Sequence, residues 1–207
     1  MTRSRAIVAG ACAVAATMAR AGEPAAEPNV SGSFTVSYYA LPHEPDFSVG
    51  VGVLERDALH LEVRYNYEAR NAGSLFAGWK FTGGDTLAWQ VTPILGALVG
   101  KGAAVIPGAE ASLAYRSVDA YIEAEYVADQ RSHADSYFYA WSELGWRPVE
   151  WLRVGIVGQR THTVQNERDL QRGPFAQVML GPATIGLYAF NPDSGSRYAI
   201  VSAAFAF

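Results

Sequence analysis

Glu110 and Glu123 stand six residues either side of the dipeptide Arg116-Ser117. If that dipeptide is a tight turn between antiparallel strands, the two carboxylates face each other across the pair. Facing carboxylates repel unless a proton, a cation or an arginine intervenes. Counting about the next turn brings Glu143 within about a residue pair of Arg153, and counting about a loop centred near Asn71 sets Glu62 opposite Lys80 as a cross-strand ion pair. Glu110, Glu123, Glu143 and Arg153, with Tyr121, then form a polar band on one wall. Such a band is either a salt-bridged plug that satisfies buried charge or a constriction that selects small or cationic solutes.

Catalytic chemistry is poorly supplied. Of the histidines, His43, His133 and His162 fall in expected loops and His60 on an inward strand face. His133 and Ser136 come nearest to a nucleophile and its base, but they sit in a polar loop with no oxyanion donor at hand. The histidine spacing offers no set of three or four metal ligands. No phosphate loop is visible. The expectation is a protein that is not an enzyme, with no catalytic residue, metal site or cofactor.

The elements that must hold the polar band are strands. LHLEVRYNYE, residues 59–68, alternates strictly: Leu59, Leu61, Val63, Tyr65 and Tyr67 on one side, His60, Glu62, Arg64, Asn66 and Glu68 on the other. A period of two marks a strand with two unlike faces. Alternation and turn signals place strands at residues 31–41, 46–55, 58–69, 73–82, 85–95, 103–115, 118–127, 136–147, 151–162, 172–180, 183–190 and 196–207. That makes twelve, each near the nine to eleven residues a tilted strand needs to cross a bilayer. Residues 91–108 lose clean alternation and place Pro93 inside a strand, so ten strands is the fallback count.

Connections alternate in length. PHEP, RNAGS, the stretch around residues 100–102, ADQRSHADS and THTVQNERDLQ are longer; ERD, TGGD, RS, RPVE and GPA are tight. Transmembrane barrels sort their connections by end in this way. Uncharged rows suit lipid: Phe34, Val36, Tyr38; Phe47, Val49, Val51, Val53; Leu75, Ala77, Trp79, Phe81; Leu87, Trp89, Val91; Val118, Ala120, Ile122, Ala124, Tyr126; Leu152, Val154, Ile156. The opposite rows carry Glu62, Glu68, Glu110, Asp119, Glu123, Glu125 and Glu143 against Arg64, Lys80, Arg116 and Arg153. The expected fold is all-β, a closed antiparallel up-and-down transmembrane β-barrel. Twelve staves ~4.8 Å apart and tilted ~40° enclose about 24 Å between opposing backbones.

The chain ends agree. Arg3 and Arg5, the apolar run of residues 6–18 and the small-x-small Ala19-Arg20-Ala21 read as a cleaved signal peptide over residues 1–21. Cys12, the sole cysteine, lies within it, so no disulfide is expected after cleavage. Residues 22–30 read as a flexible lead-in and 31–207 as the barrel. Without Arg3, Arg5 and Arg20 the 16 basic residues become 13 against 20 acidic ones, a net charge near −7, which disfavours nucleic acid as a partner.

RYAIVSAAFAF closes the sequence with Ala199, Val201, Ala203, Phe205 and Phe207 on one face. This final strand resembles the C-terminal signal of bacterial outer-membrane β-barrels, with Phe205 and Phe207 as the assembly signal. The resemblance implies export to the outer membrane, handling by the barrel-assembly machinery, and contact with outer-membrane lipid and lipopolysaccharide. Function then divides between a narrow porin-like channel through a mixed-charge, slightly acidic lumen and a plugged barrel with a structural or surface-interaction role. Candidate lumen or constriction residues are Glu62, Arg64, Lys80, Glu110, Glu123, Glu125, Glu143, Arg153 and Tyr121.

Overall fold

Period-two patterning produces thirteen strands among the described residues, which in this computed structural model are 30–42, 44–100, 102–163 and 168–207. They are β1 (Val30–Ala40), β2 (Phe47–Arg56), β3 (Leu59–Tyr65), β4 (Gly73–Trp79), β5 (Phe81–Gly83), β6 (Ala88–Val99), β7 (Ala104–Tyr115), β8 (Val118–Asp129), β9 (Tyr137–Val149), β10 (Leu152–Thr163), β11 (Arg168–Leu180), β12 (Ala183–Phe190) and β13 (Tyr198–Ala206). Each strand pairs antiparallel with its sequence neighbours except that β4 and β5 do not pair with each other and both pair with β6; β1 pairs with β13. The sheet therefore closes on itself as a twelve-stave up-and-down barrel, with β4 and β5 sharing one stave. The expected signal peptide and most of the expected lead-in lie outside the described residues.

Pro93 explains the divided stave. Gly78 faces Ile94 before the interruption and Phe81 faces Val91 after it, so the register continues unchanged. Opposite the break Pro93 has no N–H to give to the ladder, and Lys80 donates its backbone N–H to Ala58 on the other side instead. The proline side chain is exposed on the outward face. A closed barrel thus accommodates the residue by omitting a hydrogen bond, without a bulge, and the full count of twelve holds.

The two barrel ends differ. Connections at residues 57–58, 84–87, 116–117, 150–151 and 181–182 are tight, and Asp57, Arg116 and Gly181 take left-handed backbone there. The opposite end carries the β1–β2, β3–β4, β6–β7, β8–β9, β10–β11 and β12–β13 connections. These are the turn end and the loop end below. Arg116, expected on an inward row, is an exposed turn residue. The four outward tryptophans, Trp79, Trp89, Trp146 and Trp151, all lie toward the turn end, where an aromatic girdle forms.

Three sequence readings of the strands need correction. The row Phe47, Val49, Val51, Val53 faces the interior and is buried, leaving Ser48, Gly50, Gly52 and Leu54 outside. Strand pairing decides this: Val51 stands opposite Arg64, Val53 opposite Glu62, and paired residues share a face. Tyr67 also turns inward, because β3 ends at Tyr65 and Asn66 takes left-handed backbone at φ 65°. Asn66 fixes that turn by accepting the Asn71 N–H at 2.7 Å and donating to the Ser48 carbonyl at 2.8 Å. Finally, β6 runs to Val99 and β11 begins at Arg168, so both extend farther toward the loop end than alternation shows. The remaining outward rows are as expected.

Candidate functional site

Alternation sends one row of every stave into the lumen, and the polar members of those rows gather into two groups. In the first, Arg64 of β3 lies across the lumen beneath β8. Its Nε and Nη2 bind both oxygens of Glu62, at 2.7 and 3.1 Å. Its Nη1 donates to Glu125 at 2.6 Å and to Glu68 and Glu123 at 3.3 Å. The guanidinium is sandwiched between the rings of Tyr67 and Phe76, 4.4 and 4.1 Å from their centroids. Tyr67 donates to Glu123 and Ser74 to Glu68, each at 2.6 Å. One cation thus serves four carboxylates, all buried.

The second group surrounds Arg153 of β10. Its Nη1 donates to Glu143 at 2.6 Å and to Gln177 at 3.0 Å, and its Nε and Nη2 bind Asp119 Oδ1 at 2.9 and 2.5 Å. Arg147 lies 2.9 Å from the other oxygen of Asp119. Gly145 makes this possible, since a Cβ there would stand 2.5 Å from Arg153 Nε. Trp141 donates to Glu143 at 3.1 Å and Tyr188 hydrogen-bonds Gln177 at 2.7 Å. Two carboxylates meet two guanidinium groups, so this wall is charge-balanced.

Toward the loop end the lumen becomes aromatic. Tyr39 stacks on Phe47 at 4.6 Å and Phe190 on Tyr198 at 4.8 Å, and Tyr39 and Tyr198 approach to 6.4 Å. Toward the turn end a cavity of about 310 Å³ opens, lined among others by Glu55, His60, Gln90, Glu110, Ser112 and Tyr121. The lumen therefore has three zones: aromatic packing, the Arg64 ion-pair layer, and a polar vestibule.

The sequence-derived candidates divide between these zones. Glu110 and Glu123 are indeed register partners, and Glu143 does reach Arg153. They do not form one band. Glu123 belongs with Arg64, Glu143 with Arg153, and Glu110 faces the vestibule without a hydrogen bond from any described residue. Tyr121 bridges vestibule and ion-pair layer through a 3.4 Å contact to Glu123. Glu62 stands opposite Phe76 rather than Lys80, and Lys80 instead lies 2.8 Å from Glu55. The β3–β4 connection is centred before Asn71 because β3 ends early, at Tyr65. Counting along hairpins also missed the reach of Arg64 to Glu123 and Glu125, which are not hairpin partners of β3. Ser136 does not pair with His133 as a dyad: its Oγ accepts the Asp129 N–H at 3.0 Å.

Phe205 and Phe207 are exposed outward at the turn end, and the backbone of Phe207 exchanges hydrogen bonds of 2.8 and 2.9 Å with Gly32 to complete the β1–β13 seam.

No family model matches the chain, and no curated protein matches it in sequence. Solved structures do match. A KdgM porin superposes with a TM-score of 0.61 at 8% identity, over 86% of this chain and 99% of that one. A KdgM porin in complex with disordered oligogalacturonate superposes with a TM-score of 0.58 at 7% identity, over the same shares. The chain has the fold of an outer-membrane, porin-like β-barrel. At this identity the likeness is one of fold.

Proposed function

We propose that the protein is a narrow porin-like channel of the bacterial outer membrane that admits small neutral or cationic solutes, and that it is not an enzyme. The carrying observation is the inner wall around Arg64, where Glu62, Glu68, Glu123 and Glu125 share one guanidinium and Glu110 adds a further carboxylate. Excess negative charge in a low-dielectric passage attracts cations and repels anions. One solved neighbour holds oligogalacturonate, a carboxylate-bearing sugar chain; the acidic wall here disfavours such a solute. The turn end faces the periplasm in this reading, with residues 1–21 removed as a signal peptide and Phe205 and Phe207 read by the assembly machinery. At the loop end Arg160 and Arg172 are exposed on lipid-facing rows, suited to lipopolysaccharide phosphates.

A second reading, a plugged barrel acting through its loops, is favoured by the stacked Tyr39, Phe47, Phe190 and Tyr198 across the loop end. Single-channel recording in planar bilayers separates the two, using the refolded barrel beside a Glu110→Gln, Glu123→Gln variant. Steady conductance with a cation preference that weakens in the variant supports the channel. Silent bilayers, with heat-modifiable migration proving a folded barrel, overturn it and leave the plug.

A further inference from the structure

At the vestibule two carboxylates of the acidic wall, Glu62 and Glu110, meet a histidine that neither reading uses. His60 and Glu62 share the inward face of β3, and Glu110 arrives from β7; one ligand atom from each lies within 4.8 Å of the others. All three residues are buried. His60 Nδ1 is 3.3 Å from Glu55 Oε1, and Nε2 is 3.4 Å from Glu62 Oε2. With the proton on Nδ1 and donated to Glu55, the Nε2 lone pair faces carboxylate oxygens that are also acceptors. Nothing but a proton or a cation satisfies that meeting. A carboxylate on the far ring nitrogen is also the usual device for orienting a metal-binding histidine.

Two further side chains point the same way. Glu110 is 7% exposed and accepts no hydrogen bond from the described residues. Two positions along the same face of β7, the Ser112 hydroxyl is buried, without a partner, and lines the same cavity. Buried polar groups are ordinarily satisfied, and here the partnerless Ser112 hydroxyl and the unbonded Glu110 carboxylate line one cavity wall, where both are free to meet a ligand. The surroundings supply the right charge: among the described residues, Lys80 pairs with Glu55 and the already crowded Arg64 with Glu62 as permanent cations.

We propose that His60, Glu62 and Glu110 bind a single divalent transition-metal ion of the zinc type at the wall of the turn-end cavity, with Glu55 orienting His60. One imidazole nitrogen and two carboxylate oxygens form a donor set that suits zinc, and they leave a fourth position open to the cavity for water or Ser112. Ligands at zinc bond lengths of about 2.0–2.1 Å stand roughly 3.4 Å apart in a tetrahedron. The His60–Glu62 separation already matches this. Glu110 closes the set by a rotamer adjustment. Sequence spacing could not show the site, because β3 contributes only two ligands and the third is fifty positions away.

The test uses the tag-free refolded barrel in detergent, stripped with chelator and titrated with Co²⁺, whose visible d–d absorption reports four-coordination. One equivalent of saturable binding, displaced by Zn²⁺, is expected. Glu110→Gln weakens it at least tenfold, His60→Gln abolishes the d–d band, and His133→Gln in the distant loop changes neither. Heat-modifiable migration establishes that each variant is folded. If His60→Gln does not fold, Glu110→Gln carries the test. Absence of saturable binding, or Glu110→Gln binding as tightly as the parent, overturns the proposal and leaves His60 as an imidazolium between Glu55 and Glu62. No conductance enters this readout, so a failed metal titration and a silent bilayer are distinguishable outcomes.

Discussion

Arg64 and Arg153 are both buried guanidinium groups on the inner wall, and each lies over aromatic rings, yet they keep different company. Arg153 binds two carboxylates, Glu143 alone and Asp119 together with Arg147, and Gln177 takes up a remaining N–H as a neutral acceptor. Arg64 is fully enclosed and faces four carboxylates from two separate walls. The first group resembles an ordinary structural clamp, in which charge is cancelled locally. The second is overdrawn in negative charge, and the surplus extends through Glu110 into the vestibule. Two clusters built from the same residue types thus differ in composition: one ties β8, β9, β10 and β11 together around balanced charge, and the other gathers four carboxylates around a single cation.

Removing the cations should rank the clusters. Arg64→Met strands four buried carboxylates and is expected to lower unfolding stability by about 3–5 kcal/mol. Urea unfolding of the refolded barrel, followed by tryptophan fluorescence, measures it. A loss below about 1 kcal/mol would mean the carboxylates are held by something other than Arg64. Arg153→Met, which leaves Arg147 on Asp119, is expected to cost less, about 2–3 kcal/mol in the same assay. If it costs more than the Arg64 variant, the contrast between clamp and surplus fails.

Removing the anions should invert the order. Glu143→Gln removes the charge that Arg153 grips at 2.6 Å, and a loss of about 1.5 kcal/mol is expected. Glu125→Gln takes one negative charge from an overloaded group, so stability should stay within about 0.5 kcal/mol or rise. Equal losses from the two would show that both clusters are balanced.

The smallest effect lies outside both. In the loop of residues 41–46, the Tyr38 hydroxyl and the Leu41 N–H hold the exposed Asp46 carboxyl below its usual range. A carboxyl lowered by folding stabilises the loop above its unfolded pKa of about 3.9 and loses that contribution as pH falls through the lower folded value. Amide exchange at Leu41 should therefore accelerate only below about pH 4. Asp46→Asn should flatten that profile while leaving global unfolding unchanged.

Legibility followed the reach of each interaction. Charged alternation in β3, β8 and β9 exposed their inward faces directly. In β2 both faces are uncharged, and valine is equally at home in lipid or in a packed lumen, so hydrophobicity pointed outward and only pairing with Arg64 and Glu62 corrected it. Tyr67 was misplaced because Asn66 can take left-handed backbone that no periodicity reveals. Pro93, the most discordant residue for a closed sheet, changed nothing in the register.

The sequence by itself determined the architecture: period-two rows, turns sorted by length, and an acidic excess on inward positions specify a membrane barrel, because alternation and turn chemistry are local properties of the chain. Tertiary structure alone decided who meets whom inside. Arg64 reaches Glu123 and Glu125, and His60 and Glu62 meet Glu110, only because closure of the sheet through β4 and β6 curves β3 toward β7 and β8. That curvature is a property of the whole barrel, and no stretch of sequence shorter than the barrel carries it.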